Sequence, residues 1–363
     1  MLDYLLRRLL LIIPTLFGIM LINFIIIQTA PGGPVEQTIA RLQGQAGAGG
    51  RVGGGGNEVQ SAATNHMQSD ALYRGAQGLS PDLVAQIKKH YGFDRPAPER
   101  FWLMLHHYLR FDFGNSFYKD VPVTQLILSK MPVSISLGLW STLLIYLISI
   151  PLGIAKAVRH GSRFDSLTST AIIIGNAIPG FLFAIVLIVI FAGSSYLHWF
   201  PMQGLVSPQF RQLDLLHQFL DYLHHLVLPV FCMAIGGLAS LTLLTKNSFL
   251  DEINKQYVMT ARSKGLNEHQ VLYGHVFRNA MLIVIAGIPA TLLGVFFTSS
   301  LLIEVIFNLD GMGLLSFESA VNRDYPVIFG MLFIFTLMGL LLKVISDLTY
   351  TLVDPRIDFE SRL

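Results

Sequence analysis

Few side chains in this sequence are of a kind that does chemistry, and what they suggest can be weighed group by group. Two adjacent pairs, His106-His107 and His224-His225, invite a metal. Neighbouring residues on a helix point about a hundred degrees apart, and no His-Glu-x-x-His or Cys-x-x-Cys pattern accompanies them. They are read as histidines of a polar boundary, and no metal is expected. The single cysteine, Cys232, lies in an apolar run, so no intramolecular disulfide can form and a small buried hydrophobe is the reading. No lysine follows a glycine anywhere, so the Gly-Lys pair of the phosphate-binding loop is missing and ATP is not bound by that device. Nothing resembles the paired nucleophile and base of a membrane-embedded hydrolase, and no catalytic residue is assigned.

The remaining candidates lie inside apolar stretches, where a polar group is costly and tends to have a role. Glu304 could line a gate or meet an amine, or it could be an interfacial carboxylate that caps a loop. Asn176, three residues before Pro179, stands beside an expected helix break. It could face a solute path or hydrogen-bond to a neighbouring helix. Lys343 and Asp347 are one helical turn apart and are expected to pair, as a structural feature rather than a proton relay.

Those apolar stretches dominate the chain. Of 363 residues, 52% are hydrophobic and 13% charged, roughly half the charged fraction of a soluble domain. Such a chain needs the bilayer as solvent, and its net charge of +2 argues against a nucleic-acid partner. Segments 9–28, 133–157, 167–193, 225–244, 280–307 and 327–350 are each near the length of about twenty residues that spans a membrane. The first is read as a retained helix rather than a cleaved signal, because Pro31-Gly32-Gly33-Pro34 is a poor cleavage site. Arg7, Arg8, Lys156, Arg159, Arg163, Lys246, Lys255, Arg262, Lys264, Arg278, Arg356 and Arg362 gather on one set of short connections, against Arg211 and Arg323 on the other. The positive-inside rule makes the first set cytoplasmic, with both termini inside and segment 31–132 outside.

The domain reading follows from that topology. Residues 1–30 form a leading helix, 31–132 an outer segment, 133–352 a five-helix core, and 353–363 a cytoplasmic tail. In the outer segment, 44–78 is glycine-rich and poor in large apolar residues, and is expected to be a flexible connection. Beyond it, Ser80-Pro81 can open one helix that Tyr91-Gly92 ends, and 99–110 can form another, making a small helical cap. The connection 246–279 is the most informative. Residues 251–264 read as a helix with acids at its start and Arg262 and Lys264 at its end. Gly265 suits a left-handed C-terminal residue, and Asn267 with Gln270 suits the cap of the next helix. A short helix ending in a sharp turn is a sensible docking element for a soluble partner.

On these residues the chain resembles a known family. Tyr257 to Gly265 (YVMTARSKG), followed by His275-Val276-Phe277-Arg278-Asn279-Ala280, is similar to the coupling loop of ABC importer permeases of the dipeptide/oligopeptide branch. Arg7-Arg8-Leu9, Ala30 to Pro34, Phe111 to Ser116, Glu304 to Phe307, Arg323 to Pro326 and Asp354-Pro355-Arg356 resemble other blocks of that family. Asp310 stands where a proline is usual. The glycine-rich insertion and Thr245 to Glu252 resemble the Yej-type branch, associated with oligopeptides and the peptide-nucleotide antibiotic microcin C.

The resemblance implies an all-α membrane protein with a type I importer core. It also implies a second homologous permease, two ATPase domains that bind the ATP, and a periplasmic peptide-binding protein. Tyr257, Thr260, Ala261, Arg262 and Gly265 would couple the ATPase, with Ala261 closely facing it. Asn176 and Glu304 remain candidates for the substrate path. A proton-coupled secondary peptide transporter is the rival, but it would show more intramembrane carboxylates and an inverted repeat.

Overall fold

A computed structural model describes residues 2–29, 95–193, 196–297 and 301–353. Among these, the regular structure is helical, apart from one isolated bridge between Asn115 and Pro122. The glycine-rich stretch 44–78, the helix expected from Ser80, the Tyr91-Gly92 ending and the tail 354–363 lie outside the described residues. The helices are α1 (Leu2–Thr29), α2 (Ala97–Leu109), α3 (Val123–Val158), α4 (Arg163–Ala177), α5 (Gly180–Leu187), α6 (Leu215–Ile253), α7 (Gln256–Ser263), α8 (Glu268–Val271), α9 (Phe277–Phe297), α10 (Leu301–Ile306), α11 (Met312–Val321) and α12 (Tyr325–Val353). A π-helical turn, Ile188–Ala192, extends α5, and another, Leu272–Val276, joins α8 to α9.

Among the described residues, five helices are long and apolar enough to cross a membrane, and a bent pair supplies a sixth candidate. The bent pair is α4 with α5 and its π turn, broken by 94°. The cause is local: a residue before proline is pushed out of the helical region, and Ile178, just ahead of Pro179, is extended. The prolines inside α1, α3 and α6 (Pro14, Pro132 with Pro151, and Pro229) leave those helices continuous, as neighbours in a bundle allow. Of the fifth expected span, 280–307, the described residues fall in α9, up to Phe297, and in the six-residue α10, from Leu301.

The chain divides into two compact units. One contains the described residues among 1–12, 127–315 and 335–363; the other contains those among 13–126 and 316–334. Among the described residues, the first unit gathers two apolar clusters. One gathers Leu137 of α3, Ala184 and Leu187 of α5, Leu226 to Cys232 of α6, and Ile303, Phe307 and Leu309. The other gathers Ile154 and Ala157 of α3, Phe249 of α6, Val258 and Ala261 of α7, Val271 of α8, and Val276 to Val284 leading into α9. Small residues set the crossing of α3 and α6: a Cβ on Gly153 would lie 2.6 Å from Cβ of Thr245 and 2.9 Å from the carbonyl of Thr242. In this unit Asp347 pairs with Arg8 of α1. The expected Lys343–Asp347 pair is thus displaced: a lysine four residues ahead of an acid is the weaker helical order, and Arg8 brings a guanidinium from another helix.

The second unit packs α2 on α1. Phe101 sits between Phe17 and Phe24, edge-on to both at 5.4 Å, and Tyr108 and Phe113 meet Phe333 of α12. Asp324, nearly fully buried, accepts a hydrogen bond from the Ser116 hydroxyl at 2.5 Å and from the Phe117 N–H at 3.0 Å. Two sequence blocks some two hundred residues apart, around Ser116 and around Asp324, thereby become one junction.

Candidate functional site

The connection from α6 to α9 is built from its helix ends. Helix α6 runs through Asp251 and Glu252 to Ile253, so the helix expected at 251–264 begins instead at Gln256. The acids close the preceding helix rather than opening the docking one. Nothing in 246–253 interrupts the i→i−4 ladder, and the break falls at Asn254-Lys255, where Lys255 is extended. Glu252 reaches across that break, pairs with Lys255, and accepts the Tyr257 hydroxyl at 2.7 Å. Burial raises the Tyr257 hydroxyl above its ordinary pKa.

Helix α7 is amphipathic over two turns. Val258 and Ala261, three apart, face inward and are buried with Val271 and Val276. Met259 (62% exposed), Thr260, Arg262 and Ser263 face outward. The expectation that Ala261 faces a partner closely is corrected here: its methyl packs on its own chain, because at this register the alanine falls on the same stripe as Val258. The Thr260 hydroxyl donates to the carbonyl of Gln256 at 3.1 Å, within its own helix.

The end of α7 is closed by its own backbone. Gly265 takes φ +82°, its N–H donates to the Arg262 carbonyl at 2.9 Å, and the Leu266 N–H donates to the Ala261 carbonyl at 3.4 Å. This is the Schellman arrangement, which satisfies the last carbonyls of a helix. A Cβ at Gly265 would meet nothing within 4 Å, so the requirement for glycine is the backbone angle alone. Asn267 then caps α8: its side chain accepts the Gln270 N–H at 2.8 Å, and the Gln270 side chain accepts the Asn267 N–H at 3.2 Å. Arg262 bridges the turn with two bonds to Glu268, at 2.9 and 3.0 Å. A cleft between α7 and α8 is lined by Ala157, Val258, Arg262, Glu268, Val271 and Val276.

Residues 149–359, which include this whole connection, match the family described as binding-protein-dependent transport system inner membrane component. The chain belongs to that family. It is 60% identical to the inner membrane ABC transporter permease protein YejB of Escherichia coli O157:H7, over 99% of both chains. It is 57% identical, with the same coverage, to a protein of Agrobacterium fabrum named peptidoglycan transport system permease protein YejB. It is 34% identical to the oligopeptide transport system permease protein AppB of Bacillus subtilis, over 99% of this chain and all of that one. The chain is therefore an ABC importer permease subunit of the inner membrane, crossing it several times.

Within this permease the other expected site residues lie apart from the α7–α8 turn. Asn176 is exposed near the end of α4, at the 94° break. Glu304, 0% exposed, accepts the Leu314 N–H at 2.7 Å and the Gly313 N–H at 3.4 Å, with the Ser134 hydroxyl at 3.5 Å. Its carboxylate thus serves the first turn of α11. Asp310 pairs with Lys130 of α3. His107 faces Asp112, and His224 and His225 bond to the carbonyls of Trp199 and Asp221.

Sequence reasoning missed a buried cluster beside this connection. Asp165 in the first turn of α4 lies against Lys156 of α3 and Lys246 of α6. In the sequence both lysines read as basic residues of the cytoplasmic-side connections, with nothing to show that they share a partner. The available signal was Ser162 three residues before Asp165, a helix start whose acid looks purely local.

Proposed function

We propose that this permease carries peptides into the cell by alternating access, driven by ATP hydrolysis in partner subunits that engage the α7–α8 turn. The observation that carries the reading is the construction of that turn. A short helix presents Met259, Thr260, Arg262 and Ser263 outward while Val258 and Ala261 anchor it to the apolar cluster at the ends of α3, α6 and α9. A force applied to the outer face is therefore delivered to three long helices. Tyr257 and Gly265 hold the two ends of α7 and are assigned to the coupling element for that reason. Ala261 belongs to its inner support.

The orientation follows from the basic residues: both termini and the α7–α8 turn are cytoplasmic, and 31–132 is periplasmic. A second, homologous permease would complete the path, two ATPase domains would bind the ATP, and a periplasmic binding protein would deliver the substrate. The names of the relatives speak of oligopeptides and of peptidoglycan. The chemistry common to both is a short peptide, and a peptide-nucleotide conjugate of the microcin C kind would be carried through its peptide part. Asn176, exposed at the break of the bent span, is assigned to the path. Glu304, engaged with α11, is assigned to holding the outer loop.

Two measurements test this reading. The native Cys232 is buried, so cysteines introduced at Gly54 and Gly265 can be compared on a quiet background. An impermeant thiol reagent added outside should label only the first, and labelling of both overturns the orientation. In proteoliposomes with the ATPase, binding protein and peptide, Gly265→Val should abolish peptide-stimulated ATP turnover without reducing insertion. Wild-type stimulation in that variant would remove the turn from the coupling role.

A further inference from the structure

Helix α4, the first half of the bent span, is attached to its own chain in an unusual way. Asp165 is its buried residue, at 5% exposed, and no residue of α4 is a member of either apolar cluster of this unit. Charge ties its first turn to α3 and α6. Lys246 of α6 places its Nζ 2.8 Å from both carboxylate oxygens of Asp165. Lys156 of α3, 0% exposed, lies 3.1 Å from the same carboxylate. Its Nζ also donates to the Asp165 carbonyl (2.9 Å), Thr168 Oγ1 (2.8 Å) and Ser169 Oγ (2.7 Å). The Gly161 N–H (3.2 Å) and His160 Nδ1 (3.4 Å) complete the shell of the carboxylate.

The two lysines come from the helix ends that also anchor the α7–α8 turn. Lys156 lies between Ile154 and Ala157, and Lys246 one turn from Phe249, all three in the cluster that buries Val258 and Ala261. A buried ion pair is weak support for stability, since well-packed apolar residues serve as well or better. Its stronger use is to fix one arrangement of the elements it joins. We infer that Asp165 and Lys246 form a latch that makes α4 move as one body with the coupling turn, so that displacement of α7 reaches the break at Asn176–Pro179. Asp165 and Lys246 are thus positioning residues for transport. The inference rests on the coupling role proposed above for α7.

Lys246→Met separates the latch from mere folding. It removes the α6 arm while leaving Asp165 beside Lys156, so the carboxylate stays paired and the cluster of two lysines and one acid becomes neutral. The test uses the assembled transporter in nanodiscs with its ATPase, binding protein and a peptide, in a Cys232→Ala background. Spin labels are placed at Leu167, 70% exposed on α4, and at Met259 on α7. With Lys246 present, the 167–259 distance should be the same in nucleotide-free and vanadate-trapped complexes. With Lys246→Met, that distance should differ between the two states. Peptide-stimulated ATP turnover should fall about tenfold at unchanged assembly, and Lys246→Arg should restore both.

The latch is overturned if Lys246→Met keeps an invariant distance and full stimulation, or if the distance already changes with Lys246 in place. Asp165→Asn, which strands two cations, should be more severe in the same readouts; wild-type behaviour there also overturns it. Failure of the α7 reading would look different. The Met259 label would be equally mobile with and without bound ATPase, while the 167–259 distance would still report on the latch.

Discussion

Helices α8 and α11 begin in opposite ways. The first turn of α8 is capped by Asn267, exposed and adjacent in sequence, with Gln270 answering in return. The first turn of α11 is served by Glu304, buried and lying eight residues before Met312. Both devices satisfy orphan N–H groups, yet they suit different duties. The exposed cap leaves a turn that another protein can approach without disturbing the core. The buried carboxylate ties a loop to Ser134 of α3 and to the α11 backbone, so it can be altered only at the expense of the interior. If α7–α8 has the coupling role proposed above, it is the part of the molecule that is pushed, and the α10–α11 loop is built to hold still.

The largest effects are expected at the buried start. Gly311→Ala would place a Cβ 2.4 Å from Glu304 Oε1, and overpacking of this kind costs about 1–3 kcal/mol. Glu304→Ala would strand the Leu314 N–H and leave a void, at about 3 kcal/mol. Thermal unfolding of the purified transporter should show both, with Glu304→Gln milder because it keeps an acceptor. An unchanged transition in Glu304→Ala would remove the contrast between the two helix starts.

Next in size is Gly265→Val, which forces a β-branched residue to φ +82° at about 1–2 kcal/mol. Its effect should be confined to the turn, so membrane insertion stays normal while co-purification of the ATPase falls. Asn267→Ala should cost about 1 kcal/mol at most of local helix stability. Faster proteolysis or amide exchange around Gln270, with no shift in global unfolding, is the expected signature. Arg262→Ala is the smallest in stability, since an exposed bidentate pair contributes under about 1 kcal/mol. If it nonetheless reduced ATPase binding severalfold, the outward face of α7 would be sharpened as the docking surface.

Much of the fold was legible because the bilayer imposes a simple demand. Apolar runs near the spanning length, with prolines and basic flanks, mark the candidate crossings from residue type alone. The turn at Gly265 and the cap at Asn267 were legible for a related reason: both depend on residues within a few positions, where glycine and asparagine have specific backbone and side-chain roles. The start of α7 was misplaced because acids at 251–252 suit a helix N-terminus as well as they suit the end of α6, and local charge does not choose between them. The facing of Ala261 was misjudged because an alanine on a short helix fits either side equally. Only the partners across the helix, Val271 and Val276, decide which.

By itself, then, the sequence determined the class of protein, its candidate crossings and the chemistry of its most local turns, because those follow from residue type and short-range spacing. The tertiary structure alone decided where the charges go. Asp347 turned to Arg8, Asp324 to Ser116, Glu304 to the start of α11, and Asp165 to lysines on two other helices. Each partner lies on another element, in three cases tens to hundreds of residues away. A charge buried among helices takes whichever partner the packing brings within about 3 Å, and that distance is a property of the assembled bundle.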